Sequence, residues 1–532
     1  MITNFIRNKQ ITSIKLILLI SAFWLIFANI SFFVHLLADY PVSVTNLTFL
    51  ASVILGAYCL MVIILSLLCW RYSTKLVIIM LLLLTASCAY FSDTYNVFIS
   101  YDVVKNAIDT DPREVNDLIS ANLLIYILLL GILPSFIIYH ISIIRKPLHR
   151  EVLSRILLIS IIGLINIGLF WSQSGAFHSF FREHESIRYY ATPASPLFSL
   201  IKTAVRSLQT PPLLVPYAHD AVIPEAHNKR ELMIMIVGET VRADHFSLNG
   251  YNKKTNPLLE KQNIVSFAHV TSCGTSTNIS VPCMFSHFNI SEFDAKKAQF
   301  TENALDIAKR AGVNVLWRDN NSSSKHVADR IDQQDFRSDE INPVCDEECR
   351  DVGMLNGLQD YIDSRSEGNI LIILHAMGNH GPAYFKRYPK EFEKFIPACH
   401  TNELADCSLE EISNAYDNAI LYNDYFLNEV IEFLKENDEN FSTMMFYIGD
   451  HGESLGENGM YLHGMPNFMA PQAQRHVPFI VWLGKNYYKT SMEALRQKHN
   501  LPLSHELVFH TILGAMNIKT TAYHSELDIL HN

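Results

Sequence analysis

Five apolar runs fill the first third of the chain, at roughly 14–37, 47–70, 75–92, 121–143 and 154–172. Each approaches the ~20 residues that a helix needs to cross a bilayer. A buried helical bundle is the alternative, and it does not call for so many nearly uninterrupted runs. The first run is too long for a signal-peptide core and four more follow it, so it reads as a retained span. At 532 residues the chain also exceeds one ordinary domain, which leaves room for a second one after residue 172.

Orientation follows from the short loops. Arg7, Lys9 and Lys15 open the first span, Arg71 and Lys75 lie between spans two and three, and Arg145, Lys146 and Arg150 lie between four and five. The opposite loops differ: 38–46 holds no Lys or Arg, and 93–120 holds Lys105 and Arg113 among six acidic residues. The positive-inside rule puts the N-terminus in the cytoplasm, and five crossings put everything after residue ~175 outside.

Cysteine usage agrees with export. Cys59, Cys69 and Cys88 sit within apolar spans as small hydrophobes. The other six fall in the second half in close pairs, 273/283, 345/349 and 399/407, and read as three local disulfides of an exported domain. The spacings lack the repeated C-x2-C form of zinc ribbons. In the chain-entropy picture, loops this short gain about 2–3 kcal/mol each from closure. A formal charge of −11 without a basic run excludes a nucleic-acid partner.

Residues 173–230 read as a bridge. Arg182, His184, Glu185, Arg188, Tyr189 and Tyr190 have the cationic and aromatic character of headgroup depth. Pro193, Pro196, Pro211, Pro212, Pro216 and Pro224 then punctuate a linker.

From residue 231 short continuous apolar runs alternate with helical stretches. Runs 232–237, 313–317, 370–374, 444–448 and 477–482 suit parallel strands covered on both faces. Helical stretches near 296–311, 353–364, 410–436 and 504–516 separate them, which predicts an α/β domain with a mostly parallel sheet. Ligands of such sheets bind beyond the carboxyl ends of the strands. There the sequence places Glu239, Asp319, His375, His380, Asp450 and His451, with His463 a little further on. Each alone is more often an ordinary loop residue than a ligand. Together, at several strand ends of one rim, they form a ligand set for a borderline cation such as Zn2+.

One stretch has no packing role to explain it. Thr271–Cys283 places six hydroxyl residues, Gly274 and Pro282 around two cysteines, with little apolar surface to bury. Gly274 permits a tight turn, and the hydroxyl cluster followed by Pro282 suits a helix N-terminus, an anion site. A disulfide between Cys273 and Cys283 pins this loop, either as plain surface structure or to hold a nucleophilic hydroxyl. A cation and a hydroxyl together make a phosphoryl-transfer arrangement.

Five ordered motifs resemble those of the lipid A phosphoethanolamine transferases, a family that includes the mobile colistin-resistance enzymes and belongs to the alkaline-phosphatase and sulfatase superfamily. They are Ile236–His245, Cys273–Phe285, Leu316–Asn321, Gly378–Pro382 and Gly449–Asn458. The resemblance covers nearly the whole chain. It implies a five-helix transmembrane domain over 1–172, an interfacial linker over 173–230 and a periplasmic alkaline-phosphatase-like α/β domain over 231–532. Its zinc ligands match Glu239, Thr277, Asp450 and His451, with Thr277 as nucleophile. His380 and His463 match residues that hold the incoming phosphoethanolamine or a second zinc. Lys325, Asn320, Asn321 and Asn278 stand where substrate-contacting polar residues are expected. The 345/349 pair is tighter than the family's usual loop.

The implied reaction moves phosphoethanolamine from phosphatidylethanolamine to a lipid A phosphate of lipopolysaccharide. A monomer in the bacterial inner membrane would carry it out with one or two Zn2+, altering outer-membrane surface charge and lowering polymyxin susceptibility. A core sugar or another periplasmic glycan remains open as acceptor. A hydrolase, sulfatase or phosphoglycerol transferase would keep the fold, but the nucleophile loop lacks the Arg of a C/S-x-P-x-R sulfatase context. A membrane receptor would not need these strand-end ligands. A reporter fused after residue 220 is expected to be active only in its periplasmic form; cytoplasmic activity there would contradict the topology.

Overall fold

A chain segment in hydrocarbon must satisfy its own backbone, and the apolar runs do so as helices. The structure is a computed structural model that describes residues 10–109, 112–183, 185–208, 210–224 and 229–531. Arg7, Lys9 and His184 lie outside the described residues. Two compact units emerge: Met1–Asp109 with Ile119–Gln209, and Thr110–Leu118 with Thr210–Asn532.

Among the described residues of the first unit, four helices are long and apolar enough to span a membrane: α3 (Val44–Leu68), α4 (Thr74–Tyr95), α5 (Ala121–His140) and α6 (Leu148–Ser172). The first apolar run becomes a bent pair, α1 (Ser13–Phe27) and α2 (Ile30–Asp39), meeting at 60°, which makes five spans if the pair counts as one. The bend has an identifiable cause. Asn29 sits between the two helices, and its amide donates to Trp24 O at 2.9 Å and Thr192 O at 2.7 Å. A polar side chain entering the ladder in this way breaks a helix. Within α5 the turn Ile127–Ile132 is π-helical, just before Pro134, which has no N–H to continue the ladder.

The stretch expected as a bridge is helical for most of its length, at Ser174–Glu183, Glu185–Tyr190 and Ala194–Ser207. Tyr190 in this stretch is buried and donates to Asn96 Oδ1 at 2.5 Å.

The second unit is built on eight strands: β1 (Arg230–Gly238), β2 (Ile264–Thr271), β3 (Asn314–Asp319), β4 (Asp332–Asp335), β5 (Ile370–His375), β6 (Phe441–Gly449), β7 (His476–Leu483) and β8 (Leu503–Ser504). Their order across the sheet is β8-β2-β7-β6-β1-β5-β3-β4. Only β7 runs antiparallel to its neighbours, β2 and β6. All five expected strands form, because both faces are covered. Met233, Met235 and Val237 join one buried cluster with Phe446, Phe479 and Phe509, while Leu232, Ile234 and Ile236 are equally buried on the other face.

The remaining strands carry a weaker sequence signal: β2 alternates buried with half-exposed residues, β4 is fully exposed, and β8 has two residues. The expected helix 410–436 is Leu409–Glu436, opened by a reciprocal cap between Ser408 and Glu411. The stretch 296–311 forms two helices instead of one, since Asn303 and Asp306 cap a new start at Ala304. The stretch 353–364 likewise splits at Gly357, which has a positive φ of 63°.

Register is what creates the site. In the parallel pair β1–β6, Gly238 lies opposite Gly449. Residues 239 and 450 therefore leave the sheet side by side at one rim.

Candidate active site

Glu239, Asp450 and His451 are fully buried at that rim. The amides of Thr240 and His451 both donate to Asp450 Oδ1, at 3.0 and 2.6 Å, while Asp450 Oδ2 is buried without a hydrogen-bond partner. Glu239 accepts from Thr240 Oγ1 at 2.7 Å and from the Asn321 amide at 2.9 Å. Thr277 Oγ1 lies 3.2 and 3.1 Å from its two oxygens.

His451 shows what the group is built for. Its Nδ1 faces Gly452 O at 2.9 Å, and a carbonyl only accepts, so Nδ1 carries the hydrogen. With Nδ1–H committed there, Nε2 faces Glu239 Oε1 and Asp450 Oδ2, both at 3.4 Å, and either a proton or a metal ion on Nε2 satisfies that position. Lone pair against carboxylates is unfavourable unless a positive charge stands between them. Burial and the neighbouring Glu239 push Asp450 up to about 7. For His451 burial acts downward, but the charges of Asp450 and Glu239 overcome it and raise the imidazole. The three side chains offer ligand atoms within 4.8 Å of one another and fit a metal ion.

The hydroxyl loop leads into helix α7 (Thr277–Met284), with Thr277 as its first residue. Most hydroxyls around Thr277 are used to hold the loop. Ser272 Oγ donates to Gly274 O at 2.6 Å, Ser280 Oγ accepts from Gly274 N at 3.2 Å, and Thr275 Oγ1 donates to Met465 O at 2.6 Å. Thr277 is the one that faces Glu239 and His451, the latter at 3.4 Å. Two details differ from the sequence-based expectation. Pro282 lies inside the helix and not at its start. Gly274 is required by close approach, since a Cβ there would stand 2.5 Å from Ile279 Cγ2. The Cys273–Cys283 disulfide closes the loop, and Cys345–Cys349 and Cys399–Cys407 also form.

The other expected residues gather unevenly. His463 lies with its ring centroid 4.4 Å from that of His451 and 5.6 Å from that of His380. Its Nδ1 pairs with Glu453 Oε2 at 3.3 Å. Lys325 reaches Glu239 only through a relay: Lys325 Nζ to Ser322 Oγ at 2.8 Å, Ser322 to Asn321 Oδ1, and Asn321 to Glu239. Asn320 faces elsewhere, donating to Cys349 O and Asp351 Oδ1, both at 2.8 Å. Asn278 is buried in the first turn of α7.

Sequence reasoning missed the supports. Thr240 is β-branched with a φ of 57°, held by Tyr416, whose hydroxyl donates to Thr240 O at 2.8 Å. Gly378 must be glycine, because its φ is 55° and a Cβ would stand 2.6 Å from Glu239 O. Asp351 accepts from the amides of Met377 and Gly378, at 2.8 and 3.1 Å. His505 accepts from Cys273 N at 3.1 Å and donates to Gly449 O at 2.9 Å, tying the hydroxyl loop to the end of β6. None of these carries a local signal except Thr240 and Gly378, which stand within quoted motifs.

A buried strand-end ligand group with a hydroxyl over it, on a mostly parallel sheet, defines the sulfatase and alkaline-phosphatase class. The sulfatase family profile matches residues 231–518, and that of phosphoethanolamine transferase EptA/EptB matches residues 57–208. The chain is 40% identical over 516 residues to the phosphatidylethanolamine transferase Mcr-2 of Escherichia coli, covering 94% of each. It is 37% identical to the phosphoethanolamine transferase EptA of Salmonella typhimurium, over 100% of this chain and 98% of that one. The integral membrane lipooligosaccharide phosphoethanolamine transferase A of Neisseria meningitidis matches with a TM-score of 0.94 at 32% identity, over 98% of this chain and 99% of that one. The chain therefore belongs to the phosphoethanolamine transferases of the EptA and Mcr type, integral membrane enzymes with a periplasmic catalytic domain.

The His505 bridge predicts a pH response. Burial lowers His505 from 6.5 to about 3. A histidine depressed in the folded state binds fewer protons there than when unfolded, so its stabilisation is complete above pH ~6.5 and is lost as pH falls toward ~3. His287 and His510, each lowered by burial to about 4, act in the same direction. His505→Gln is expected to lower the melting temperature at neutral pH and to flatten its fall between pH ~6.5 and ~4. Differential scanning fluorimetry across that range checks it.

Proposed function

We propose that the chain transfers phosphoethanolamine from phosphatidylethanolamine to a lipid A phosphate by way of a covalent adduct on Thr277. The observation that carries this reading is the convergence of one buried hydroxyl, Thr277 Oγ1, on the Glu239–Asp450–His451 group at 3.1 to 3.4 Å.

A Zn2+ held by Glu239, Asp450, His451 and Thr277 would lower the hydroxyl's pKa and offset charge on the transferring group. Two bulky lipids need not occupy the site together, because a covalent relay separates the displacements. In the first, Thr277 Oγ forms a bond to the donor's phosphorus, and the bond from phosphorus to the diacylglycerol oxygen breaks. The threonine gives up its proton, and the leaving oxygen takes one up. The start of α7 presents its positive dipole end to the non-bridging oxygens. In the second, an oxygen of the acceptor phosphate forms a bond to the same phosphorus, the bond from phosphorus to Thr277 Oγ breaks, and the released Oγ takes up a proton. His380 and His463, beside His451, steady the phosphoethanolamine or hold a second zinc. Asn321 and Thr240 keep Glu239 in place, and Lys325 supports Asn321 through Ser322.

Adding phosphoethanolamine to a lipid A phosphate sets an ammonium beside it. The outer surface then attracts cationic peptides less strongly, which accounts for reduced polymyxin susceptibility. Mass spectrometry of lipopolysaccharide with and without the expressed protein distinguishes a lipid A phosphate from a core sugar as acceptor.

Thr277→Ala should reduce turnover to background while zinc content stays close to wild type, since three ligands remain. Glu239→Ala or Asp450→Ala should remove both. Intact-protein mass spectrometry after addition of the donor alone should find one phosphoethanolamine on Thr277. Persistent absence under trapping conditions, or the adduct on Ser276 or Ser280, would overturn the assignment.

A further inference from the structure

The helix Pro112–Leu118 lies in sequence between α4 and α5, yet it belongs to the catalytic unit. Its anchor is Asp117, which is buried and accepts from Arg387 Nη2 and, at 2.7 Å, from Lys386 Nζ. The Asp117 carbonyl also accepts from the Asn402 amide at 2.9 Å. Burial acts to raise Asp117, but Arg387 and Lys386 reverse this and hold the carboxylate below its usual range.

Arg387 is the centre of the arrangement. Its side chain is wholly buried, and each of its three nitrogens is committed to a different piece of chain. Nη2 meets Asp117, Nη1 meets Glu348 inside the Cys345–Cys349 loop, and Nε donates to the backbone carbonyl of His380 at 2.6 Å. Three residues before Asp117 and on the same helix face, Glu114 Oε1 lies 3.9 Å from His380 Nε2. Well-packed apolar residues stabilise a fold as well as a buried ion triad does. Placement of what the triad holds is the better reason for having it.

We propose that Asp117 is a positioning residue for phosphoethanolamine transfer: with Glu348 it fixes the Arg387 guanidinium, and through the His380 carbonyl it holds the His380 imidazole beside His463. This rests on the reading that His380 serves the transferred group. Asp117 touches neither substrate nor metal ligand; it acts through Arg387 and His380.

The test is a double-mutant cycle on the full-length protein in detergent–lipid micelles, with phosphatidylethanolamine as donor and lipid A as acceptor. Zinc content and melting temperature are followed alongside. Asp117→Asn is expected to lower kcat/KM about tenfold with zinc retained, and to cause no further loss in a His380→Ala background. A merely structural role would slow both backgrounds by the same factor. Glu348→Gln approaches Arg387 from the other side and should show the same non-additivity; it decides the matter if Asp117→Asn does not fold. Wild-type kcat/KM in Asp117→Asn, equal losses in both backgrounds, or failure of both variants to fold would overturn the proposal. A His380→Ala enzyme with the wild-type rate would instead remove the role given to His380 and the proposal with it. A slow His380→Ala beside a fast Asp117→Asn would sink only the positioning claim.

Discussion

Two carboxylates, Glu239 and Asp450, leave neighbouring parallel strands at the same level and are buried together. Like charges confined in this way repel strongly where water is excluded, and most of the surrounding structure answers that repulsion. Asp450 takes two backbone amides, and Glu239 takes the Thr240 and Thr277 hydroxyls and the Asn321 amide. His451 turns its Nδ1–H away to Gly452 and leaves Nε2 facing both acids. The bend that lets Thr240 serve both carboxylates places a β-branched residue at positive φ, held by Tyr416 from the first third of a 28-residue helix. A cation held by these side chains would relieve the repulsion that the sheet register creates.

That dependence explains what could be read in advance and what could not. The strands that carry the acids are continuous apolar runs covered on both faces, so their ends were legible, and so were the ligand-type residues just beyond them. The hydroxyl loop was legible because it has no apolar surface to bury. Which hydroxyl faces the acids is clear only in three dimensions, where Ser272, Thr275 and Ser280 hold the loop and leave Thr277 over Glu239. Asn320 and Asn321 are indistinguishable as neighbours in sequence, yet one supports Glu239 and the other secures Cys349. Supports such as Tyr416, Asp351 and His505 come from distant parts of the chain, and no local pattern marks a residue whose partner lies more than 200 positions away, as Cys273 does from His505.

The membrane half shows the same division between local and long-range information. Apolar length alone locates the spans, because hydrocarbon leaves the backbone no alternative to helix. The 60° bend in the first run depends on Asn29 finding Thr192, which is 163 residues further on. Pro112–Leu118 reads as part of an ordinary loop between spans, and long-range contacts place it with the catalytic unit: Asp117 with Arg387 and Lys386, and Arg113 with the carbonyls of Asn320 and Asn321.

Each of the three disulfides closes a short polar loop of the catalytic unit. Cys273–Cys283 brackets Thr277, and the amide of Cys273 is held by His505. Cys345–Cys349 encloses Glu348 and supplies the carbonyl that Asn320 holds. Cys399–Cys407 precedes the long helix that carries Tyr416, and Cys399 N donates to Glu411 O within its first turn. Loops rich in hydroxyls and charges bury too little apolar surface to offset the entropy of ordering. Closing them covalently reduces the freedom of the unfolded chain, and does so without adding bulk at the rim. A site whose acids are set by rigid strands, but whose facing hydroxyl follows a loop and whose His463 lies on one, needs such closure to keep both parts in register.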